Sequence, residues 1–251
     1  MNQTQKYELC IVVPVFNEED NIIRLAQTLT DYIGHASVDT CVLFVDDGST
    51  DHSLAKIKDV CLHHPGFYYI GLSQNCGLSV ALKAGINNVE SPYTGYIDAD
   101  LQTSPEDFEL LLPFRTAYDL VTGIRTGRKD SWIKKVSSTV ANWIRRMLTH
   151  DDAEDTGCPL KIIRTDVAKR IPFFKGLHRF LPAMILLQEG QVKQVPVRHF
   201  ERIAGKSKFN LRNRLISPLI DCFAYRWMKK RYIRYTIKTS HIEGINDGKL
   251  V

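Results

Sequence analysis

Short apolar segments alternate with amphipathic segments over the first hundred residues of the chain. Four apolar segments bounded by turn or polar residues predict strands: Leu9 to Phe16, Cys41 to Val45, Phe67 to Leu72 and Tyr93 to Ile97. Three segments between them have apolar residues at helical spacing and predict helices: Asp20 to Tyr32, Ser53 to Cys61 and Leu78 to Val89. This alternation predicts an α/β fold in which a mainly parallel sheet is flanked by helices on both faces.

Polar and acidic residues follow each of the four predicted strands. The four segments are Asn17 to Asp20, Asp46 to Asp51, Ser73 to Asn75 and Asp98 to Gln102. Any one of them could be explained by helix capping or by a tight turn. The carboxyl ends of parallel strands meet at one edge of the sheet, which is where such folds bind ligands. The four segments together therefore predict one binding site, rich in carboxylates and amides, at this edge.

Asp98 and Asp100, directly after the fourth predicted strand, are the strongest candidates for chemistry. Two carboxylates at this spacing can present oxygen atoms to one hard divalent cation, and Gln102 continues the alternation with an amide oxygen. Mg2+ typically bridges protein carboxylates to substrate phosphates in this way. The sequence predicts a metal site formed by Asp98, Asp100 and Gln102, with Mg2+ or Mn2+ as the cofactor.

Several other catalytic templates are absent from the sequence. There is no glycine-rich dinucleotide fingerprint, no phosphate-binding loop of P-loop NTPases, no nucleophile elbow and no zinc-protease helix motif. The eight histidines show no metal-ligand spacing, and we expect His178 and His199 to be structural. These absences disfavour dinucleotide-dependent dehydrogenases, P-loop NTPases and the common hydrolases.

The composition, 44% hydrophobic and 24% charged, is typical of a globular protein and excludes extensive disorder. The formal net charge is +5, but residues 198–238 contain 12 Lys and Arg against two acidic residues. So basic a segment favours an anionic partner, whereas the acidic remainder of the chain disfavours nucleic acid. No apolar run approaches the roughly 18 residues of a membrane span, and the polar N-terminus lacks the apolar core of a secretory signal. We expect a cytoplasmic protein.

Three motifs resemble those of family-2 glycosyltransferases with the GT-A fold. They are Val12 to Glu19 (VVPVFNEE), Val45 to Asp51 (VDDGSTD) and Tyr96 to Gln102 (YIDADLQ). The form DADLQ resembles the polyprenyl-phosphate branch, which includes dolichol-phosphate mannose synthases and bacterial undecaprenyl-phosphate sugar transferases. Further matches extend the resemblance over about residues 8 to 210: Gly123-x-Arg125, Asp155 to Lys161, and Arg202-x-x-Gly205-x-Ser207-Lys208.

The resemblance implies roles for individual residues. The donor nucleotide sugar would lie among Pro14, Phe16, Glu18, Val45, Asp47 and Ala99. Asp98, Asp100 and Gln102 would hold the metal on the donor pyrophosphate. Phosphate groups would be bound by Arg125, Arg202 and Lys208, which with the two metal carboxylates form the implied catalytic set. The family usually has Tyr at the position of Phe16. The loop Asp155 to Lys161 departs from the S-G-F-R motif of many relatives, so only Lys161 is carried over from it as a candidate acceptor contact.

The implied function is the metal-dependent, inverting transfer of a sugar from a nucleotide diphosphate sugar to a polyprenyl phosphate at the cytoplasmic membrane face. A lipid phosphate is anionic near pH 7 and needs no general base, which agrees with the lack of a candidate catalytic histidine. One alternative is transfer to a hydroxyl of lipopolysaccharide or another acceptor, with Asp155 as the base. A second is a non-catalytic protein that docks on nucleotides or membranes. The sugar, the nucleotide base, the polyprenol length and the oligomeric state stay open.

The basic C-terminal segment predicts a second functional unit. Residues 1–208 are expected to form the GT-A domain, and residues 209–251 an amphipathic helical tail that docks on an anionic membrane surface without crossing it. The expected apolar stripe consists of Leu215, Ile216, Leu219, Ile220, Phe223 and Trp227. We expect Pro218 to divide the tail into two short helices or to open the second one. The alternative is that the stripe packs on the catalytic domain.

A second basic amphipathic stretch, Trp132 to Leu148, is expected to lie beside the tail at the membrane. Its basic residues are Lys134, Lys135, Arg145 and Arg146.

Overall fold

The computed structural model describes Thr4 and residues 6–126, 145–201 and 211–233, with side chains of the last segment described from residue 220 onward. Within these residues one sheet has the strand order β3-β2-β1-β4-β6-β5-β7. The strands are β1 (Leu9–Val15), β2 (Thr40–Asp46), β3 (Phe67–Gly71), β4 (Tyr93–Tyr96), β5 (Leu120–Arg125), β6 (Lys161–Arg164) and β7 (Val192–Val197). Neighbouring strands are parallel except that β6 is antiparallel to both β4 and β5. The predicted mainly parallel sheet is confirmed.

Helices cover both faces of the sheet. The described helices are α1 (Ile22–Ile33), α2 (Ser53–His63), α3 (Leu78–Asn88), α4 (Phe108–Leu111), α5 (residues 145–149), α6 (Thr165–Arg170), α7 (Leu181–Leu187) and α8 (Leu211–Arg231). The first four strands and first three helices begin and end within two residues of their predicted bounds. The period of the apolar pattern was therefore sufficient to predict this half of the fold.

The continuous apolar run of β1 reflects burial on both faces. Leu9, Ile11 and Val13 pack in one core cluster with α1, α2 and α4. Cys10 and Val12 face the opposite way and pack in a second cluster with α3, α6 and α7. Strands that are buried on both sides read as unbroken hydrophobic runs rather than as alternating ones. This burial fixes the sheet and sets the positions at which its strands end.

Helix α8 differs from the prediction in one respect. Pro218 lies inside a single helix, so the expectation of two short helices is wrong. A proline inside a helix removes one backbone hydrogen bond, which kinks a helix without necessarily ending it. The side chains of Leu215, Ile216 and Leu219 lie outside the described ones.

The C-terminal half of α8 packs on the body of the protein. Cys222 and Tyr225 are buried in the second core cluster. The Tyr225 hydroxyl donates to the carbonyl of Ala183 in α7 at 3.2 Å, and its ring stacks on that of Phe180 with centroids 6.4 Å apart. No helix among the described residues is long and apolar enough to cross a membrane.

Arg145, expected in a basic stretch facing the membrane, is buried instead. Its Nη1 contacts both carboxylate oxygens of Asp151 at 2.5 Å, and its Nη2 donates to the carbonyl of Ala153. Asp151 is itself buried, and a buried carboxylate requires a cationic partner. Arg145 is therefore unavailable to lipid, and the expectation was wrong for this residue. Residues 127–144, which contain Lys134 and Lys135, lie outside the described residues.

Candidate active site

The loops that follow β1 and β2 are joined by hydrogen bonds at the carboxyl edge of the sheet. The backbone N–H of Asn17 donates to Ser49 Oγ at 2.9 Å, and the N–H of Thr50 donates back to Asn17 Oδ1 at 2.8 Å. The N–H of Glu18 donates to Ser53 Oγ at 2.8 Å. Asn17 has a left-handed backbone with φ 49°, a conformation that asparagine tolerates better than most residues. The predicted convergence of these two strand ends is confirmed.

The Asp47 carboxylate holds the loop that leads into α3. Its Oδ1 accepts from the N–H of Cys76, and its Oδ2 accepts from the N–H of Gly77, both at 2.8 Å. Oδ2 also accepts from Asn75 Nδ2 at 2.9 Å. The N–H groups at a helix N-terminus have no partners within the helix and favour negative charge. Asp47 is thus buried and fully engaged in joining the end of β2 to the start of α3.

The other residues implied in donor binding differ in exposure. Pro14 pairs with Val45 in the register of β1 and β2, and both are buried. Ala99, between Asp98 and Asp100, is also buried. Phe16 and Glu18 lie just beyond β1 with part of their side chains exposed. Side-chain contact with a donor is therefore open to Phe16 and Glu18, whereas the buried residues would shape the site from behind.

Asp98 and Asp100 lie immediately beyond β4, and the charge of Asp100 acts on Asp98. Asp98 is half-buried, and its Oδ1 accepts from the Tyr96 hydroxyl at 2.8 Å. Asp100 Oδ1 accepts from the N–H of Gln102 at 3.1 Å, across a turn in which Leu101 has φ 54°. Burial, together with the negative charge of Asp100, raises the pKa of Asp98 to about 6. Two carboxylates close together in a partly desolvated loop repel each other, and a bound divalent cation would relieve that repulsion.

This donor set fits a hard divalent cation that is completed by substrate. Among the described residues, no group of three or more His, Cys, Asp and Glu side chains is arranged to hold a metal ion. Mg2+ is usually held by one or two carboxylates, with waters and substrate phosphates as the remaining ligands. The oxygen atoms of Asp98 and Asp100, with the amide oxygen of Gln102, match that chemistry.

Arg125, at the end of β5, is fixed by Asp155. Arg125 Nε and Nη2 donate to the two oxygens of Asp155 at 2.7 and 2.8 Å. Burial favours the neutral form of Asp155, but the hydrogen bonds and charge of Arg125 outweigh it and lower the pKa of Asp155. Asp155 is therefore an ionised partner of the arginine and a weak base.

Lys161, the candidate acceptor contact, lies inside the protein. Its side chain is buried, and its Nζ donates to the carbonyl of Cys158. Burial lowers the pKa of Lys161. In this arrangement Lys161 is therefore inaccessible to an acceptor, contrary to the expectation that it contacts one.

The segment that follows β7 is bound to residues 97–102, the loop that carries the candidate metal ligands and is called the metal-site loop below. Arg198 donates to the buried carboxylate of Asp107 through its backbone N–H at 2.7 Å and through Nε at 2.8 Å. The carbonyl of Gln102 accepts from the N–H of Phe200 at 2.9 Å and from His199 Nδ1 at 3.1 Å. The described chain therefore reaches residue 201 beside the metal-site loop. Residues 202–210, which include the predicted phosphate-binding Arg202 and Lys208, lie outside the described residues.

The two singled-out histidines make structural contacts. His199 binds the Gln102 carbonyl, and His178 Nδ1 lies 2.9 Å from Ser79 Oγ. Burial, with the charge of Arg179 nearby, lowers the pKa of His178 to about 3. His178 is neutral at physiological pH and engaged with α3, in line with the expectation.

Comparison with known proteins agrees with this geometry. The family described as Glycosyl transferase family 2 matches residues 10–171. The dodecaprenyl-phosphate galacturonate synthase of Rhizobium johnstonii is 29% identical over 246 residues, which cover 96% of this chain and 71% of that protein. The undecaprenyl-phosphate 4-deoxy-4-formamido-L-arabinose transferase of Edwardsiella ictaluri is 30% identical over 217 residues, or 84% of this chain and 66% of that protein. The chain thus spans about two thirds of the length of these relatives.

The fold also matches a solved glycosyltransferase. The glucosyl-3-phosphoglycerate synthase of Mycobacterium tuberculosis, in complex with Mn2+, UDP-glucose and phosphoglyceric acid, superposes with a TM-score of 0.66. The alignment covers 96% of this chain and 86% of that one at 14% identity, a likeness that concerns the fold alone. The GT-A fold predicted from the motifs is confirmed. Since the family match spans most of the sheet and the strand ends that carry the predicted site, the chain belongs to glycosyl transferase family 2.

Proposed function

We propose that the protein transfers a sugar from a nucleotide diphosphate sugar to a polyprenyl phosphate, with inversion at the sugar carbon. The observation that carries the proposal is the pair Asp98 and Asp100 at the end of β4. This carboxylate pair is suited to a divalent cation on a pyrophosphate. The choice of a lipid phosphate acceptor is supported by the two relatives, whose names specify polyprenyl-phosphate sugar transfer.

Asp98, Asp100 and Gln102 would hold Mg2+ or Mn2+. When bound, the cation neutralises charge that develops on the nucleotide diphosphate as it leaves. Arg125 would bind a phosphate through Nη1, because Asp155 occupies Nε and Nη2 and no other described residue accepts a hydrogen bond from Nη1. Arg202 and Lys208 are proposed from the sequence as further phosphate-binding residues. Desolvated phosphate charge requires paired cations, and arginine is suited to bidentate contact.

The described site favours a phosphate acceptor over a hydroxyl. A hydroxyl must lose its proton as it attacks, and the candidate base for that alternative was Asp155. The ion pair with Arg125 lowers the pKa of Asp155 and engages both of its oxygens. A phosphate monoester is already anionic and attacks without a base. The carboxylate pair and the family membership weigh against the non-catalytic alternative.

We further propose that residues 1–208 carry catalysis and that residues 209–251 dock on an anionic membrane surface at its cytoplasmic side. Ile220, Phe223 and Trp227 lie on one stripe of α8 and are 62%, 63% and 64% exposed. The same part of the helix carries the exposed basic residues Arg226, Lys229, Lys230 and Arg231. Exposed apolar side chains flanked by lysine and arginine are typical of helices that lie in a membrane interface. Docking there would bring the site to a membrane-embedded acceptor.

A transfer assay tests the proposed function. The full chain is incubated with Mn2+, a panel of nucleotide sugars and either undecaprenyl phosphate or a hydroxyl acceptor, and extracted lipid is analysed by mass spectrometry. We expect one donor to give a glycosyl phosphodiester of the lipid, with loss of product on chelation by EDTA. The Asp98→Asn variant is the matched control and is expected to give no product. Transfer only to the hydroxyl acceptor, or no transfer from any donor, would overturn the proposal.

A further inference from the structure

Tyr96 and Lys161 form a buried pair directly beneath the metal-site loop. Tyr96 is the last residue of β4 and Lys161 the first of β6, and the two face each other in the antiparallel register. Tyr96 is 3% exposed and Lys161 only 1%. The Lys161 ammonium lies 5.8 Å from the centroid of the Tyr96 ring, within the range of a cation–π contact. Its Nζ also donates to the carbonyl of Cys158 in the loop that leads into β6.

The hydroxyl of Tyr96 reaches the first carboxylate of the metal site. It donates to Asp98 Oδ1 at 2.8 Å, whereas Asp98 Oδ2 accepts no hydrogen bond from any described residue. Carboxylates that bind metals are usually oriented by such outer hydrogen bonds, which leave one oxygen for the cation. We propose that Tyr96, supported by Lys161, is a positioning residue that fixes Asp98 so that Oδ2 is offered to the metal. This inference rests on the proposed metal-dependent function.

The buried charge of Lys161 is explained by its surroundings. An ammonium removed from water is costly unless it is paired and hydrogen-bonded. Burial, the largest effect, and the charge of Arg125 lower the pKa of Lys161. The Cys158 carbonyl, the face of the Tyr96 ring and the negative charges of Asp155 and Asp98 favour its charged form. The Lys161 ammonium thus lies against the ring whose hydroxyl donates to Asp98. The three side chains Lys161, Tyr96 and Asp98 therefore act as one connected unit.

Two substitutions and one matched control separate positioning from packing. Tyr96→Phe keeps the ring and its packing but removes the hydroxyl that orients Asp98. Lys161→Met keeps an unbranched apolar side chain, shorter by one heavy atom, but removes the charge and the donor. Tyr32→Phe is the control, because Tyr32 is also a buried tyrosine whose hydroxyl donates to a carboxylate, Glu109 Oε1 at 2.9 Å, and it lies on the distant helix α1. Mn2+ affinity is measured from the electron paramagnetic resonance of free Mn2+, in the presence of UDP, GDP, CDP, ADP or dTDP, and the nucleotide that gives the tightest Mn2+ binding to wild type is used for every variant. The melting temperature is measured alongside.

We expect Tyr96→Phe to weaken Mn2+ binding by about tenfold, the lower end for lost outer hydrogen bonds at metal sites. Tyr32→Phe should lower the melting temperature about as much as Tyr96→Phe does, because each loses one buried hydrogen bond. It should leave Mn2+ affinity within about twofold of wild type. Lys161→Met should also weaken Mn2+ binding, but by less in the Tyr96→Phe background than alone, since both act through Asp98.

Unchanged Mn2+ affinity in Tyr96→Phe, or an equal loss in Tyr32→Phe, would overturn the inference. If Lys161→Met does not fold, the comparison of Tyr96→Phe with Tyr32→Phe decides alone. Wild-type protein that binds Mn2+ while Tyr96→Phe binds it equally well overturns this inference only. Wild-type protein that binds no Mn2+ with any of these nucleotides overturns both the inference and the metal-dependent function on which it rests.

Discussion

Arg125 and Asp155 are joined by two parallel hydrogen bonds, Nε to Oδ2 at 2.7 Å and Nη2 to Oδ1 at 2.8 Å. The N–H of Arg125 donates to the same Oδ2 at 3.2 Å. The side chains are only 16% and 12% exposed, so solvent screens the pair weakly. Bidentate contact between guanidinium and carboxylate fixes orientation as well as charge. Asp155 thereby leaves Nη1 of Arg125 for the phosphate that we propose it binds.

We therefore expect Asp155→Asn to impair transfer through Arg125 rather than through loss of a base. The amide introduced by this substitution offers one acceptor oxygen in place of two and no charge, so Arg125 would lose its fixed orientation. kcat/KM should fall by about tenfold or more, and by the same factor at every pH from about 6 to 9, on the scale of a lost charge-assisted hydrogen bond. Steady-state kinetics with the lipid phosphate acceptor check this.

Arg125→Lys is the companion variant, because a lysine keeps the charge but lacks the planar fork. Its loss should be similar, and the double variant should lose little more than either single one. The hydroxyl-acceptor alternative predicts a different result. In that case only Asp155→Asn would lose kcat/KM, and the loss would depend on pH because it would reflect the missing base.

The raised pKa of Asp98 predicts a trade between stability and activity. Burial and the charge of Asp100 raise this pKa from 3.8 to about 6, so folding favours the protonated form. In the metal-free protein, the contribution of Asp98 to stability is fully present below pH 3.8 and is lost as the pH rises through about 6. Asp98→Asn, which stays neutral, should therefore raise the melting temperature in EDTA at about pH 7.5 but abolish transfer. The difference in melting temperature should vanish near about pH 4, and a lower melting temperature for the variant at the higher pH would contradict the assignment.

The same pKa predicts competition between protons and metal. Binding of a cation requires ionised Asp98, so apparent Mn2+ affinity should be constant above about pH 7 and fall by up to tenfold for each pH unit below about 6. Titration calorimetry in two buffers of different ionisation enthalpy checks this through the number of protons released. Affinity that is flat from about pH 5 to 7.5 would show that Asp98 is not a ligand.

The first half of the fold and the position of Asp98 and Asp100 at a strand end were predictable because their causes are local. β1 to β4 and α1 to α3 follow from the period of apolar residues, and a parallel sheet necessarily brings the ends of its strands together. That logic placed Asp98 and Asp100 in one loop. Alternation along an extended strand also places Tyr96 on the face of Asp98, so their hydrogen bond could have been inferred from spacing.

The remaining contacts depend on tertiary register that the sequence pattern does not encode. Arg125 meets Asp155 across 30 positions, and Arg198 meets Asp107 across 91. β6 has a charged residue at each end, and β7 contains a proline and is mostly half-buried, so neither reads as a strong strand. Lys161 faces Tyr96 only because β6 runs antiparallel to β4. No motif spacing predicts that pairing.

Gly48 is predicted to be irreplaceable for a reason visible in the turn after β2. Its φ of +67° is strained for any residue with a side chain, and a Cβ there would lie 2.3 Å from the carbonyl carbon of Gln74. Gly48 directly follows Asp47, and Gln74 directly precedes residues 75–77, which donate hydrogen bonds to Asp47. The two backbones therefore cannot move apart without breaking those hydrogen bonds. Gly48→Ala should lower the free energy of unfolding by about 3 kcal/mol or more. Urea denaturation checks this, with Gly34→Ala as the control, because a Cβ at Gly34 meets nothing closer than 3.4 Å.

The exposed apolar stripe of α8 consists of Ile220, Phe223 and Trp227, and we expect it to contact the membrane. Replacement of Ile220, Phe223 and Trp227 by serine should weaken binding to anionic liposomes by at least about tenfold, since each buried apolar side chain contributes about 1.5–3 kcal/mol. Wild-type protein should bind at low salt and be partly released at high salt, because each basic residue near an anionic leaflet is worth about 1 kcal/mol and is screened. Liposome sedimentation measures both effects.

The control for the triple variant is Leu62→Ser on α2, which removes a side chain that is 81% exposed and distant from α8 along the chain. Point variants are sharper than truncation after Lys208, because truncation would also remove Cys222 and Tyr225 from the core. The triple variant should keep wild-type turnover of a water-soluble, short-chain acceptor while losing turnover of acceptor embedded in liposomes. If it binds liposomes as well as Leu62→Ser does, or if wild-type protein ignores anionic liposomes while it uses the soluble acceptor, α8 does not dock the enzyme on membranes.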